Sequence, residues 1–248
     1  MASQIEIWNL ALQSAGTRTQ VNSLTEQSQA ANTLRLFYQS TLEELLAEAQ
    51  WNFAQKFVTA NLLTQVPGAP GNTAATGGEV WSPTYPAPGW LYQYSYPADC
   101  LKLNYVIPQG QWGYYLAQAQ TDGPWKVLQT LAVPFTISNS AGVPVVNTNA
   151  QQAIFEYTMR VDNPAIFQPG FVTALAGRLA KKIVIPLSGD KSMAQAAWQA
   201  SEDIVRAARQ VDANEGLTII DNYPDWLRAR DWPDWYGGPA GWWLTGNY

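Results

Sequence analysis

The sequence predicts an α+β fold: a four-helix bundle made from an N-terminal and a C-terminal helix pair, an inserted antiparallel β-rich domain, and an extended aromatic C-terminal tail. Three observations lead there. Apolar residues recur at intervals of three and four near both ends, they alternate with period two in the middle, and the last residues mix Trp with Pro and Gly without any period. The expected divisions are residues 1–51, 52–165, 166–216 and 217–248.

Residues 3–15 place Ile5, Trp8, Leu12 and Ala15 at helical spacing, with Gly16 as the natural stop. Ser23-Leu24-Thr25-Glu26 fits a capping box, so a long helix is expected to start there and run through Gln50, carrying Leu34, Phe37, Tyr38, Leu42, Leu45 and Ala49 over roughly 40 Å. Leu101, Leu103, Tyr105 and Ile107 alternate against Lys102, Asn104 and Val106, and Ala153, Phe155, Tyr157 and Met159 do likewise, which predicts two strands. Weaker strand candidates are 53–63, 91–96, 125–128 and 143–146. Residues 66–89 hold five prolines and five glycines and suit an exposed loop. Phe171, Leu175, Leu179 and Ile183 form an i, i+4 ridge expected to end at Pro186. Asp190 can cap a last helix whose Met193, Ala197, Ala200, Ile204, Ala208 and Val211 run to Asn214, ahead of Gly216, and the short turn between these two helices implies antiparallel packing.

Composition narrows the function. With 14 basic and 19 acidic side chains the formal charge is -5, which argues against a free nucleic-acid binder. Charged residues make up 13% where about 25% is usual, while Trp and Tyr number 12 each, so something other than charge must cover the surface. The most apolar stretch, 171–187, is interrupted by Arg178, Lys181 and Lys182 and falls short of a membrane span. The opening residues do not resemble a secretory signal, so the chain is expected to stay in the cytoplasm where it is made. Single Cys100 cannot form an internal disulfide, and the lack of histidine removes imidazole bases, Ser-His and Cys-His pairs and nearly every zinc site. Association with other chains is the function class that remains.

Carboxylates are the acid and base candidates left. Glu43-Glu44 and Glu202-Asp203 are the closest pairs, but neighbours on a helix diverge by about 100°, so a solvated face is the plainer reading. Asp225, Asp231 and Asp234 match no calcium-loop spacing, and no metal and no cofactor is expected. Ser188-Gly189-Asp190-Lys191-Ser192 resembles the end of a phosphate loop, yet a helix cap explains it better. Arg178, Lys181 and Lys182 form a small basic face, either solvated or in contact with an acidic partner. Cys100 reads as a small buried hydrophobe.

The tail resists a bland account. Tyr223, Trp226, Trp232, Trp235, Tyr236, Trp242 and Trp243 are candidate partner-binding residues, for a neighbouring chain. Each buried Trp removes about 150–250 Å² from water at roughly 25 cal/mol per Å². Insertion into another chain is preferred, against folding back on the same domain or stacking on sugars.

These residues resemble the head-to-tail adaptor proteins of short-tailed bacteriophages, the tail tubular protein A type. Leu45-Leu46-Ala47-Glu48-Ala49-Gln50-Trp51-Asn52-Phe53-Ala54 resembles that family's second helix and its Trp-Asn-Phe exit, and Tyr96-Pro97-Ala98-Asp99-Cys100-Leu101 its central strand entry. Phe155-Glu156-Tyr157-Thr158-Met159-Arg160-Val161-Asp162-Asn163-Pro164, then 171–189, and Asp212-Ala213-Asn214-Glu215-Gly216 resemble its distal helix pair and flanks. The likeness spans most of 5–230; the loop after Val66 and the end after Arg230 depart from the pattern. The resemblance implies a structural virion protein without catalysis, assembled in the host cytoplasm. It further implies a dodecameric ring at the head-tail interface between portal protein and tail nozzle protein, through which DNA passes without specific binding. An acidic wall suits such a conduit, because it repels phosphate. The rival from another class is a carbohydrate-active module, either a glycan binder using Trp platforms or a cell-wall hydrolase using a carboxylate pair.

Overall fold

The computed structural model of the protein describes residues 2–71, 81–109 and 132–215. The chain divides into two compact units, residues 1–216 and 217–248, and the described residues belong to the first. The fold is α+β as expected, with four α-helices and two antiparallel sheets among the described residues.

Helix α1 (Gln4–Ser14) starts in a capping box in which Ser3 Oγ accepts from the Glu6 amide and Glu6 accepts from the Ser3 amide. Its buried side is Ile7, Trp8, Ala11, Leu12 and Ala15; Ile5, expected inside, lies at the margin. Helix α2 (Gln29–Glu48) begins later than the sequence suggested. Ser28 supplies the cap, whereas Glu26 folds back to accept from the Asn22 amide and Arg35 donates to the Leu24 and Glu26 carbonyls. Residues 22–27 are thereby closed as a separate turn, and the helix spans about 30 Å rather than 40.

Strand β1 (Gln55–Thr59) and strand β2 (Leu62–Gln65) divide the expected 53–63 segment between two sheets. The others are β3 (Tyr92–Ser95), β4 (Cys100–Pro108), β5 (Phe135–Ser140), β6 (Val143–Thr148) and β7 (Ala153–Met159). The orders are β1-β7-β4 and β2-β3-β6-β5, and side chains from both sheets, including Tyr94, Val106, Val146 and Phe155, share one apolar core. Strand β4 departs from simple alternation: with register shifts between Cys100 and Lys102 and between Leu103 and Tyr105, Val106 is buried beside the expected Ile107, and Tyr105 is only half-buried. Strand β5 was not foreseen. It joins β6 through Ala141 and Gly142, both at positive φ, in the two-residue turn that matches strand twist. The 125–128 candidate lies outside the described residues. The described parts of the Pro/Gly loop are tied to the sheet, with the Ala87 amide donating to Asn147 Oδ1 and Tyr92 OH to the Pro70 carbonyl.

Helix α3 (Pro169–Ser188) buries Phe171, Leu175, Leu179 and Ile183 as expected, but it passes Pro186. Its last turn is held by Ser188 Oγ donating to the Val184 carbonyl and the Gly189 amide to that of Ile185, with Gly189 at φ +68. Asp190 caps helix α4 (Lys191–Glu215) by accepting from the Ser192 amide at 2.8 Å. Ala208 of α4 is buried as expected, but the rest of its buried side is rotated: Ser201, Val205 and Asp212 face in, and Met193, Ala200 and Val211 are exposed. Two glycines of α3 lie against this side. A Cβ at Gly177 would stand 3.6 Å from Ser201 Cα, and one at Gly170 3.6 Å from Ala208 Cβ, so the antiparallel helices approach where the residues are smallest. Helix α3 packs on α1, α2 and α4, and one core draws on all four.

Candidate assembly surfaces

The basic face of α3 is turned onto carboxylates of two neighbouring helices. Arg178 lies 2.9 Å from Glu48 of α2 and 2.6 Å from Glu202 of α4; Lys181 shares Glu202 at 3.2 Å, and Lys182 meets Glu44 at 2.6 Å. Glu48 also pairs with Arg209 of α4. The side chains of Arg178 and Lys181 are only 16% and 18% exposed, so they are not a solvated face, and the acidic groups they meet belong to the same chain. Burial would raise the Glu202 carboxyl, but the Lys181 hydrogen bond and the nearby cations outweigh it and hold the group below the usual carboxylate range. Lys181 Nζ stands 3.4 Å from the centre of the half-exposed Trp198 ring. The two carboxylate pairs proposed from sequence are engaged with cations: Glu43 with Arg160 at 3.2 Å, Glu44 with Lys182, Glu202 with Arg178 and Lys181, Asp203 with Arg206 at 3.8 Å.

The exit from α2 forms a junction. Trp51 is buried, donates Nε1 to the Leu45 carbonyl at 2.8 Å, and packs edge-on against Phe171 at 4.9 Å between ring centres; Phe53 meets Phe171 at the same separation and Phe167 at 5.7 Å. Asn52 donates its backbone amide to the Asp212 carboxylate at 3.1 Å and its side-chain amide to the Asp212 carbonyl at 2.6 Å. Burial pushes the Asp212 carboxyl up and the Asn52 amide pulls it down, with a net rise. Gln168 closes the same corner on Glu215.

The β-region is organised differently. Residues 57–71, 81–98 and 132–155 contain no Asp, Glu, Lys or Arg. Polar groups there satisfy one another as neutrals: Asn147 donates to Ser138 Oγ and accepts from Gln93 and from the Ala87 amide, while Tyr94 OH donates to the carbonyls of Ala150 and Gln151. Charge returns at its border. Lys56 pairs with Asp99 at 2.7 Å, and Glu156 of β7 is fully buried, accepting from Gln55 at 2.5 Å while its Oε2 has no partner. Burial raises the Glu156 carboxyl and the Gln55 bond lowers it, with a net rise. Burial likewise pushes the half-buried Cys100 thiol up, away from nucleophilic use. The uncharged blocks were visible in the sequence, but their meaning emerges only once the sheet brings them side by side.

Exposed apolar side chains dot this neutral surface, among them Leu62, Leu63, Ile137 and Val143. Beside β2 lies a cleft of about 360 Å³, whose lining includes Thr59, Leu62, Gln65, Gln109, Gln151 and Gln152. The candidate tail residues Tyr223, Trp226, Trp232, Trp235, Tyr236, Trp242 and Trp243 lie outside the described residues, as do Asp225, Asp231 and Asp234. Among the described residues no group of His, Cys, Asp and Glu side chains could hold a metal ion, and no helix is long and apolar enough to cross a membrane. No protein-family model matches the chain, and no curated protein matches it.

Proposed function

We propose that the chain is a structural virion subunit, a head-to-tail adaptor of the tail tubular protein A type, whose copies form a ring between portal and tail nozzle around the DNA channel. The observation that carries the reading is the junction: segments far apart in sequence, each part of the resemblance, converge where Trp51, Asn52 and Phe53 meet Phe171 and Asp212. The neutral β-surface supports it too, because depletion of charge marks the buried centre of interfaces between chains.

In this reading the four helices act as a bundle at the core of the ring, the β-region points toward the nozzle, and the C-terminal segment threads onto the portal or an adjacent subunit. A ring needs two different faces per subunit meeting head to tail, which consumes surface that would otherwise need charge. The role is mechanical, without a cofactor or a catalytic step. Electron micrographs of the purified chain, alone and mixed with portal protein, test it: annular particles that stack on portal rings are expected. A chain that stays monomeric, ignores portal and instead changes its Trp fluorescence with sugars is the carbohydrate-active module.

A further inference from the structure

The cleft beside β2 has a composition that selects its ligand. Strand β2 is an edge of the four-stranded sheet among the described residues, so one side of its backbone offers N–H and C=O groups to an incoming strand. Edge strands are ordinarily guarded by charge or proline. Here Leu62-Leu63-Thr64-Gln65 has neither, and its two leucines are 42% and 50% exposed. The same cleft is lined by Gln109, Gln151 and Gln152, whose carboxamides each have a donor and an acceptor and no charge. An ion entering the cleft would lose hydration with no countercharge to offset it, and a purely apolar ligand would leave the carboxamides unpaired. What fits is an uncharged extended peptide, hydrogen-bonded along β2 with its alternate side chains resting on Leu62 and the glutamines.

We propose that this peptide is segment 236–248 of a neighbouring copy, an inference that rests on the ring reading because the ring supplies the neighbour. The segment Tyr236-Gly237-Gly238-Pro239-Ala240-Gly241-Trp242-Trp243-Leu244-Thr245-Gly246-Asn247-Tyr248 has no charged side chain, whereas 223–235 carries Asp225, Arg228, Arg230, Asp231 and Asp234. The neutral segment suits the neutral cleft and the charged one does not. From Glu215, where the described part of the chain ends, about twenty residues lead to Tyr236, a reach of at most about 70 Å when extended, enough to cross to an adjacent subunit. Trp242 and Trp243 supply the large apolar anchors that such contacts use.

The test titrates labelled synthetic peptides 236–248 and 223–235 into the full-length protein, wild type and carrying Leu62→Lys, Gln152→Glu or, away from the cleft, Val143→Lys. Circular dichroism checks that each variant is folded, and sedimentation follows self-association. The neutral peptide is expected to bind at least ten-fold tighter than the charged one. Leu62→Lys and Gln152→Glu should each weaken it at least ten-fold, while Val143→Lys leaves it unchanged. Equal binding of the two peptides, or binding indifferent to both cleft variants, overturns the proposal. If rings form and the cleft variants assemble as the wild type does, this inference fails and the ring reading survives. If the neutral peptide occupies the cleft in a chain that never self-associates, the ring reading fails and with it the neighbour as source.

Discussion

The helical region and the sheet β2-β3-β6-β5 solve the same problem in opposite ways. Each encloses a core rich in aromatic side chains, yet the helices are seamed by ion pairs shared between α2, α3 and α4, whereas the sheet is finished with neutral amides, hydroxyls and carbonyls. Charge at a seam ties helices together and leaves the surface hydrated. A surface without charge can be dried at little cost, and that is what a contact between chains requires.

The comparison can be broken by substitution. The largest effect is expected at the junction: Trp51→Ala removes a buried indole and leaves the Leu45 carbonyl unpaired, costing about 3–5 kcal/mol in urea unfolding. A smaller loss at this site would mean that the junction does not organise the helices. Next come two substitutions of similar size but different character. Asn147→Leu strips partners from Gln93, Ser138 and the Ala87 amide and should cost about 1–3 kcal/mol at any ionic strength. Arg178→Gln should cost about 1–2 kcal/mol, less than a fully buried pair because Glu48 and Glu202 are partly exposed and keep Arg209 and Lys181, and its cost should shrink in 1 M NaCl. Equal salt dependence of the two would mean that the helical seam and the sheet are held by the same kind of interaction.

Acid titration separates the regions again. The folded-state pKa of Glu156 is raised, so the folded chain holds this proton more tightly than the unfolded one. The cost of ionising it is absent below the ordinary carboxylate value of about 4.5, grows as pH rises toward the folded pKa, and is complete above that. Glu156→Gln should remove this slope and stabilise the chain at pH 7 by about 1 kcal/mol, because it takes a charge out of a fully buried site while the Gln55 bond can be kept. An unchanged pH profile would mean that the carboxylate finds a partner in solution. The smallest change is Ala141→Asn, which places a residue tolerant of positive φ in the β5–β6 turn and should add about 0.5 kcal/mol in thermal unfolding.

Much of the frame was legible in sequence, and the misses share a cause. The ridge Phe171–Leu175–Leu179–Ile183 and the Asp190 cap are local patterns, and both appear as read. The inward side of α4 was misassigned because its buried positions include polar Ser201 and Asp212, which lie against Gly177 on α3 and bond Asn52 after α2, partners remote in sequence. The alternation in β4 misled because a bulge changes which residues face in, and the start of α2 misled because Ser23 and Glu26 form a turn instead of a cap. Strand β5 was missed since its turn is Ala141-Gly142 and not the stronger Asn-Gly signal. At the candidate surfaces the cations Arg178, Lys181 and Lys182 stood out by spacing, but their carboxylates arrive from two other helices, which spacing along α3 cannot reveal.

The most direct measurement is the mass of the purified full-length chain in solution across a wide concentration range. A discrete closed oligomer much heavier than one 27.4 kDa chain is expected, and one that survives high salt if the neutral β-surface contributes to its contacts. A single-copy particle at every concentration, unmoved by added portal protein, would contradict the account.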